Sequence, residues 1–396
     1  MTTCSECGQD AVPHRTTYVT TLLDEGLKPL FAPGPITRWI VRRFVSIEHI
    51  LMPLFFNLLI SLKAAKIQQE PDEHTLLLAK VLWEEARAQG IHMEEIRLFN
   101  LPRNIFRARL RNNKTIFFEG IPLPAKAVSQ VWWIDNKAQM KKRFPYHNIP
   151  IAKGGSAATF FTAKNIYKKV IPPVIVKPFS GSASRHTTLH IDSLEKLKRA
   201  MKSATQVAPV AVIEEELVGP VYRATVIDGK LEGVIERNPP HVIGDGTHTI
   251  EELIEIANQH PKRGGPYFSK ITVTEDTHKE LAWQKLSLTS IPEKGRRVTL
   301  HQKINWSLGG TTRDVTDEVH RDNRVLFEHV AEVLKAPVVG MDFIIEDMAR
   351  SYLSQQRCGV IECNSMPYFD NHHLPFEGEP RNVAGAIWRM ILTHKG

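Results

Sequence analysis

Apolar positions along the chain follow two periods. Short β-branched runs recur at Val174–Val176, Val210–Ile213, Val221–Ile227, Val338–Ile345 and Gly359–Ile361, and each predicts a buried strand. Elsewhere the spacing is helical. From His74 to Gln89, residues Leu77, Leu78, Val81, Leu82 and Ala86 share one face, with Gly90 as the stop. Phe106–Leu110 and Thr115–Glu119 flank Asn112-Asn113, which signals a hairpin. Asp228-Gly229 likewise turns the 221–227 run into Leu231–Glu236. Asp135-Asn136-Lys137 opens a lysine-rich helix ending near Phe144-Pro145, and Thr247–Ile254 begins another with a capping-type start. The most apolar window, Ile47–Leu62, is shorter than the roughly 20 residues that cross a bilayer. Its spacing puts Ile50, Leu54, Leu58 and Leu62 on one face, broadened by Phe55, Phe56 and Leu59. It reads as a packed helix, with a homo-oligomer interface or a membrane-surface contact as lesser readings. The second draws on flanking Arg38, Arg42, Arg43, Lys63 and Lys66.

Two of the strands carry acids, and a carboxylate in an apolar run is costly to desolvate without a partner. Asp342 lies mid-strand in the first. Glu362 and Asn364 are two apart on the second, so alternation puts them on one face. Two explanations remain open here: three hard oxygen ligands for Mg²⁺, or carboxylates paired with buried Arg or Lys. Upstream, the strand ending at Lys177 runs into Phe179-Ser180-Gly181-Ser182-Ala183-Ser184. Such a loop can lay backbone N–H groups against phosphate, with the lysine as a point charge; an ordinary turn is the alternative.

Composition narrows the class. A chain of 396 residues, 42% hydrophobic and 24% charged, suits a globular enzyme of two or three domains. The net charge of +8 is spread rather than blocked. That argues against a nucleic-acid partner and suits a small anionic substrate such as ATP. Of four cysteines, Cys358 and Cys363 fall in the expected core, which points to a reducing, cytoplasmic setting. Cys4 and Cys7 lack a second ligand pair at matching spacing, so no zinc site is expected there. The chain opens with no signal-peptide pattern, and no transmembrane segment is expected.

Taken together, the motifs resemble the ATP-grasp carboxylate–amine ligases, and more narrowly the ATP-grasp part of cyanophycin synthetases. The likeness runs co-linearly from about 130 to 392. It rests on His241–Ile254, Pro261–Gly264, Asn305–His320, Glu362–Pro367 and Gly378–Ala384. It implies an α/β (α+β) ATP-grasp fold in which two antiparallel-sheet subdomains sandwich ATP. The expected order is an N-terminal helical segment of unknown role (1–73), a small α/β domain (74–130), a first ATP-grasp subdomain (131–205) and a second, catalytic one (206–396).

The resemblance also implies roles. Lys137 and Lys177 would hold phosphates and the adenine side, and Ser180, Gly181 and Ser182 would form the phosphate loop. The Glu214–Leu217 segment, with Glu214, Glu215 and Leu217, would meet the adenine edge. Asp342, Glu362 and Asn364 would carry Mg²⁺, with Mn²⁺ as a substitute. Arg223 would serve the acyl-phosphate centre, and Asn305 would position the substrate. The implied reaction activates an amino-acid or peptide carboxylate as an acyl phosphate, which an amine attacks, releasing ADP and phosphate. Nothing resembling a Ser-His-Asp or Cys-His arrangement competes with it, and His372-His373 read mostly as solvated or hydrogen-bonded residues, with substrate contact a lesser reading.

Four positions depart from the family pattern. Ser184 and His186 stand where glycines are expected, and Val221 where an acid usually meets the ribose. His301 replaces a common arginine. The resemblance is to the ATP-grasp part alone, so the Mur-type ligase domain of full cyanophycin synthetases is not expected here. A nucleotide-binding pseudoenzyme or regulatory module of the same fold is therefore the alternative.

Overall fold

The structure, a computed structural model, describes residues 13–31, 51–99, 101–124, 134–135, 137–179, 186–302, 304 and 306–394. Cys4, Cys7, Ser180, Gly181, Ser182, Ser184 and Asn305 lie outside the described residues.

Helix α1 (His14–Phe31) is followed by α2, described over 51–61. A four-stranded antiparallel sheet comes next, in the order β1 (Ala65–Gln68), β2 (His92–Leu98), β3 (Ile105–Arg109), β4 (Thr115–Glu119). The amphipathic α3 (Leu77–Ala88) crosses between β1 and β2. The β3–β4 hairpin pairs Phe106 with Phe118 and turns where Asn112-Asn113 predicts. Because β1 pairs with β2, this module takes in residues before 74.

Helix α2 inverts one expectation. Leu54, Leu58 and Leu62 are 63%, 56% and 66% exposed. The packed face is Phe56, with Met52, Leu59 and Ile60 beside it, and Phe56 stacks on Phe117. Both faces are apolar, so spacing by itself could not choose between them. The sheet beneath offers Ile96 and Phe117, and Phe56 fits that surface.

A second antiparallel sheet follows α4 (Lys137–Arg143). Its elements are β5 (Gly154–Ala157), α5 (Phe160–Tyr167), β6 (Val174–Pro178), β7 (Thr188–Ile191), α6 (Leu194–Ala204) and β8 (Ala211–Glu215), with strand order β5-β8-β6-β7. The sheet thus extends past 205 to take in β8, whose inclusion buries Ala211 and Ile213 against α5 and α6.

The third and largest sheet begins with β9 (Val221–Ile227) and β10 (Lys230–Asn238), joined at Asp228 and Gly229, both at positive φ (50° and 77°) as this tight turn needs. A small subunit of β11 (His241–Ile243), α7 (Ile250–Asn258), α8 (Glu275–Trp283) and β12 (Arg297–Thr299) is inserted here, with its own apolar core. Helix α7 starts with a capping box between Thr249 and Glu252. Then come β13 (Thr311–Asp314), α9 (Arg321–Leu334), β14 (Val338–Ile344), β15 (Gly359–Asn364), the short α10 (Asp370–His373) and α11 (Val383–Thr393). The strand order is β13-β10-β9-β14-β15, all antiparallel. Helix α9 covers one face, burying Phe327 on Phe343. Helix α11 ties this sheet to the first module, where Trp388 is fully buried and donates to the Leu82 carbonyl at 2.9 Å. No helix among the described residues is long and apolar enough to cross a membrane.

Candidate active site

The face of the large sheet opposite α9 gathers the charged residues, and strand register does the gathering. On adjacent strands, Arg223 of β9 lies opposite Asp342 of β14, and Asp342 lies opposite Glu362 of β15. Gly340 lies opposite Asn364, so Glu362 and Asn364 share that face, as alternation predicts. Arg223 grips Asp342 with two nitrogens, Nε to Oδ1 and Nη2 to Oδ2, the latter at 3.1 Å. Arg237 of β10 adds Nη1 to Oδ2 at 3.1 Å. Burial would push the Asp342 carboxyl up, but Arg223, Arg237 and Lys137 outweigh it and hold the group below the usual carboxylate range. The ion-pair explanation for Asp342 is therefore realised. It leaves lone pairs to spare, because a carboxylate accepts about four hydrogen bonds.

Between this face and the β5-β8-β6-β7 sheet lies a cleft of about 800 Å³, lined by Lys137, Lys141, Gly154, Lys177, Glu214 and Glu362 among others. Lys177 on β6 pairs with Val212, two residues before Glu214 on β8, and so shares its face. Its Nζ lies 2.9 Å from Glu214, which Lys141 also contacts. Lys137 reaches Glu362 at 3.4 Å. Asp135 anchors the start of α4 to the end of β15, accepting from Ser365 N at 2.8 Å and from its hydroxyl at 2.6 Å. Burial, with neighbouring Lys137, pushes the Lys177 ammonium down to about 8. Burial beside Lys177 and Lys137 pushes Lys141 down to about 7. These cations crowd one end of the cleft, which suits an incoming polyanion.

The Glu214–Leu217 segment edges the cleft. Glu215 N and Glu216 N are spent on Lys153 O (2.8 Å) and Pro173 O (3.1 Å). Among the described residues Leu217 N–H has no backbone acceptor. The Glu215 side chain turns away to accept from Ile171 N at 3.2 Å, leaving only its backbone for the cleft.

The described residues hold no cluster of three or more His, Cys, Asp or Glu fit to hold a metal. The donor set here is different: two carboxylates and an amide, Asp342, Glu362 and Asn364. Asn364 Nδ2 is buried without a hydrogen-bond partner among the described residues. Hard oxygens from three adjacent positions fit a magnesium ion that shares its coordination with phosphate oxygens.

His372 and His373 are hydrogen-bonded residues, one of the readings the sequence allows, and neither lines the cleft. His372 is fully buried against Thr225 Oγ1 at 2.8 Å, and His373 Nε2 accepts from Ala384 N at 3.0 Å. Burial pushes them down to about 3 and about 4, so both stay neutral. His186 has φ +52°, the left-handed conformation a glycine would adopt freely. Its ring is fully buried, with Nδ1 on Ser203 O at 3.0 Å. His301 sits 3.5 Å from Asp276, far in sequence from the charged row.

Arg237 and Lys141 were not singled out by sequence pattern. Lys141 follows Lys137 by four residues on α4, a spacing that signals a shared face. Arg237 carried no such signal, since only the β9–β10 register puts it diagonal to Arg223.

No protein-family model matches the chain. It is 37% identical over 226 residues, 56% of its length, to the cyanophycin synthetase of Trichormus variabilis, and covers 25% of that protein. It is 30% identical over 266 residues, 66% of its length, to the glutathione biosynthesis bifunctional protein GshAB of Clostridium perfringens, and covers 34% of it. The chain thus spans about a quarter to a third of the length of these curated relatives. Among solved structures, a bifunctional glutathione synthetase from Pasteurella multocida matches 80% of this chain and 43% of its own, at a TM-score of 0.61 and 24% identity, a likeness of fold. The chain is thus a homologue of part of the cyanophycin synthetases and shares the fold of a bifunctional glutathione synthetase, in line with the ATP-grasp resemblance.

Proposed function

We propose that the chain is an ATP-dependent, ADP-forming ligase that joins an amino-acid or peptide carboxylate to an amine through an acyl phosphate. One observation carries the reading: the row Arg223–Asp342–Glu362 crosses three adjacent strands and ends at Glu362, on the wall of a lysine-rich cleft between two antiparallel sheets. Lys137, Lys177 and Lys141 would neutralise phosphate charge. Glu215 C=O and Leu217 N–H would meet the adenine edge, and Glu214 would keep the lysines in place. Asp342, Glu362 and Asn364 would hold Mg²⁺, or Mn²⁺ in its stead, which when bound neutralises phosphate charge. Ser180, Gly181, Ser182 and Asn305 take the phosphate-loop and substrate-positioning roles that the family likeness implies.

In this reading the substrate carboxylate attacks the γ-phosphorus and ADP departs. The amine nitrogen then bonds to the acyl carbon and phosphate leaves with the electron pair. Arg223 and Arg237 face the acyl-phosphate oxygens and stabilise the charge that builds there. Buried, free Cys358 and Cys363 suit a reducing, cytoplasmic setting. The domain division follows the sheets: a module reaching from β1 to β4, a first ATP-grasp subdomain closed by β8, and a second from β9 onward.

The test is phosphate release with Mg·ATP and pools of amino acids and dipeptides. Amine-dependent release that drops at least 100-fold in Glu362→Ala supports the ligase. Nucleotide binding with no amine-dependent turnover by the wild-type chain would replace it with a binding module.

A further inference from the structure

Helix α2 has two apolar faces, and the sheet covers one of them. Leu51, Leu54, Phe55, Leu58 and Leu62 recur at the spacing of a single helical stripe, and Leu62 N still donates to Leu58 O at 2.9 Å. All five are exposed, Leu51 and Phe55 at 46% and 52% beside the three leucines given above. The other stripe, centred on Phe56, has its partner in the four-stranded sheet. A helix that is apolar all round is normally buried all round. The outer stripe therefore calls for a partner that the described residues do not supply.

Apolar surface continues past the end of the helix. Phe99 N donates to Ala64 O at 3.0 Å, which brings the end of β2 against the turn that follows α2. Phe99 is 80% exposed, and Leu101, bridged to Leu98, is exposed as well. Exposed apolar area on this scale marks a contact site. Charge says what it meets. Lys63, Lys66 and Arg103 are exposed, and none of them is in an ion pair among the described residues. No Asp or Glu occurs from Leu51 to Gln69 or from Phe99 to Phe118. A second copy docked stripe to stripe about a two-fold axis would bring the same acid-free surface to these cations and leave like charges facing one another. An anionic bilayer supplies both halves of the match. Its acyl boundary receives leucine and phenylalanine side chains, and its headgroups carry negative charge for the cations. No helix among the described residues is long and apolar enough to cross a membrane, so the contact lies in the plane of the interface.

We propose that the outer stripe of α2, extended by Phe99 and Leu101, seats the protein on an anionic lipid surface. The inference is independent of the ligase reading, because none of these residues lines the nucleotide cleft.

The test takes the full chain to vesicles of phosphatidylcholine alone and of phosphatidylcholine mixed with phosphatidylserine, and reads co-sedimentation at low and at physiological salt. The anionic vesicles are expected to bind at least 10-fold more tightly than the neutral ones, with affinity falling as salt rises. The double variant Leu54→Glu/Leu58→Glu puts charge on the stripe and is expected to weaken binding at least 10-fold. Both sites are exposed, so its thermal unfolding should match wild type. Leu353→Glu, at an exposed leucine elsewhere, should bind as wild type does. Lys63→Glu/Arg103→Glu should lose the preference for phosphatidylserine and keep whatever binding the neutral vesicles show. Equal binding to both kinds of vesicle, binding to neither, or wild-type binding by Leu54→Glu/Leu58→Glu overturns the proposal. A lipid-free dimer in sedimentation equilibrium that Leu58→Glu dissociates also overturns it, and gives the stripe to a second copy of the chain.

Discussion

Asp342 shows how one side chain is shared between stability and chemistry. It is 5% exposed and held by two arginines. Its removal leaves Arg223, itself 8% exposed, as a poorly compensated buried charge. Breaking such a pair from one side typically costs about 3–5 kcal/mol. Asp342→Ala is therefore expected to lose about 3 kcal/mol in urea unfolding, with Glu362 nearby limiting the loss. Asp342→Asn keeps the volume and an acceptor for Arg223 and should lose less. Equal stability of wild type and Asp342→Ala would mean that the arginines are solvated without it.

At the scale of elements, α2 and the paired strands make opposite points. In α2 the apolar residues run almost all the way around, so the buried face is set by what lies beneath it. Phe56→Ala removes a ring stacked on Phe117 with 5.7 Å between ring centroids, and is expected to cost about 3 kcal/mol. Leu54→Ser and Leu58→Ser, on the exposed side, should change stability by less than about 0.5 kcal/mol. Thermal unfolding of the three variants checks the orientation, and a reversed ranking would turn the helix over. For β9, β14 and β15 the pattern was decisive, because side chains alternate along a strand and so residues two apart share a face. Gly340 in β14 is required by close approach: a Cβ there would lie 2.5 Å from Pro367 Cβ, on the loop that follows Asn364.

For the whole molecule, the cleft is a device for matching charge between two sheets. Lys177 and Lys141, near 8 and 7 in the free protein, are partly neutral at pH 8. A bound triphosphate favours their charged forms, so binding at pH 8 should take up roughly one proton. Because protons bind with the nucleotide, affinity must fall as pH rises through 7 to 9. Calorimetry in two buffers of different ionisation heat measures the uptake directly. Lys177→Met should remove part of it, and a binding heat independent of buffer would show that the lysines are already charged.

What the sequence determined by itself was local and periodic. The hairpins at Asn112-Asn113 and Asp228-Gly229, the α3 and α7 helices and the shared face of Glu362 and Asn364 all follow from side-chain period and turn chemistry. Those forces act within a few residues and leave their mark in order and spacing. Tertiary structure decided whatever depends on what lies across a gap. It paired Arg237 with Asp342, sank His372 into neutral burial, turned the Phe56 face of α2 inward and brought Asp370 to a cavity wall shared with Lys80. Each of these rests on register or packing between segments far apart in the chain. Periodicity names a face, but only the neighbour laid against it fixes that face's charge, burial and use.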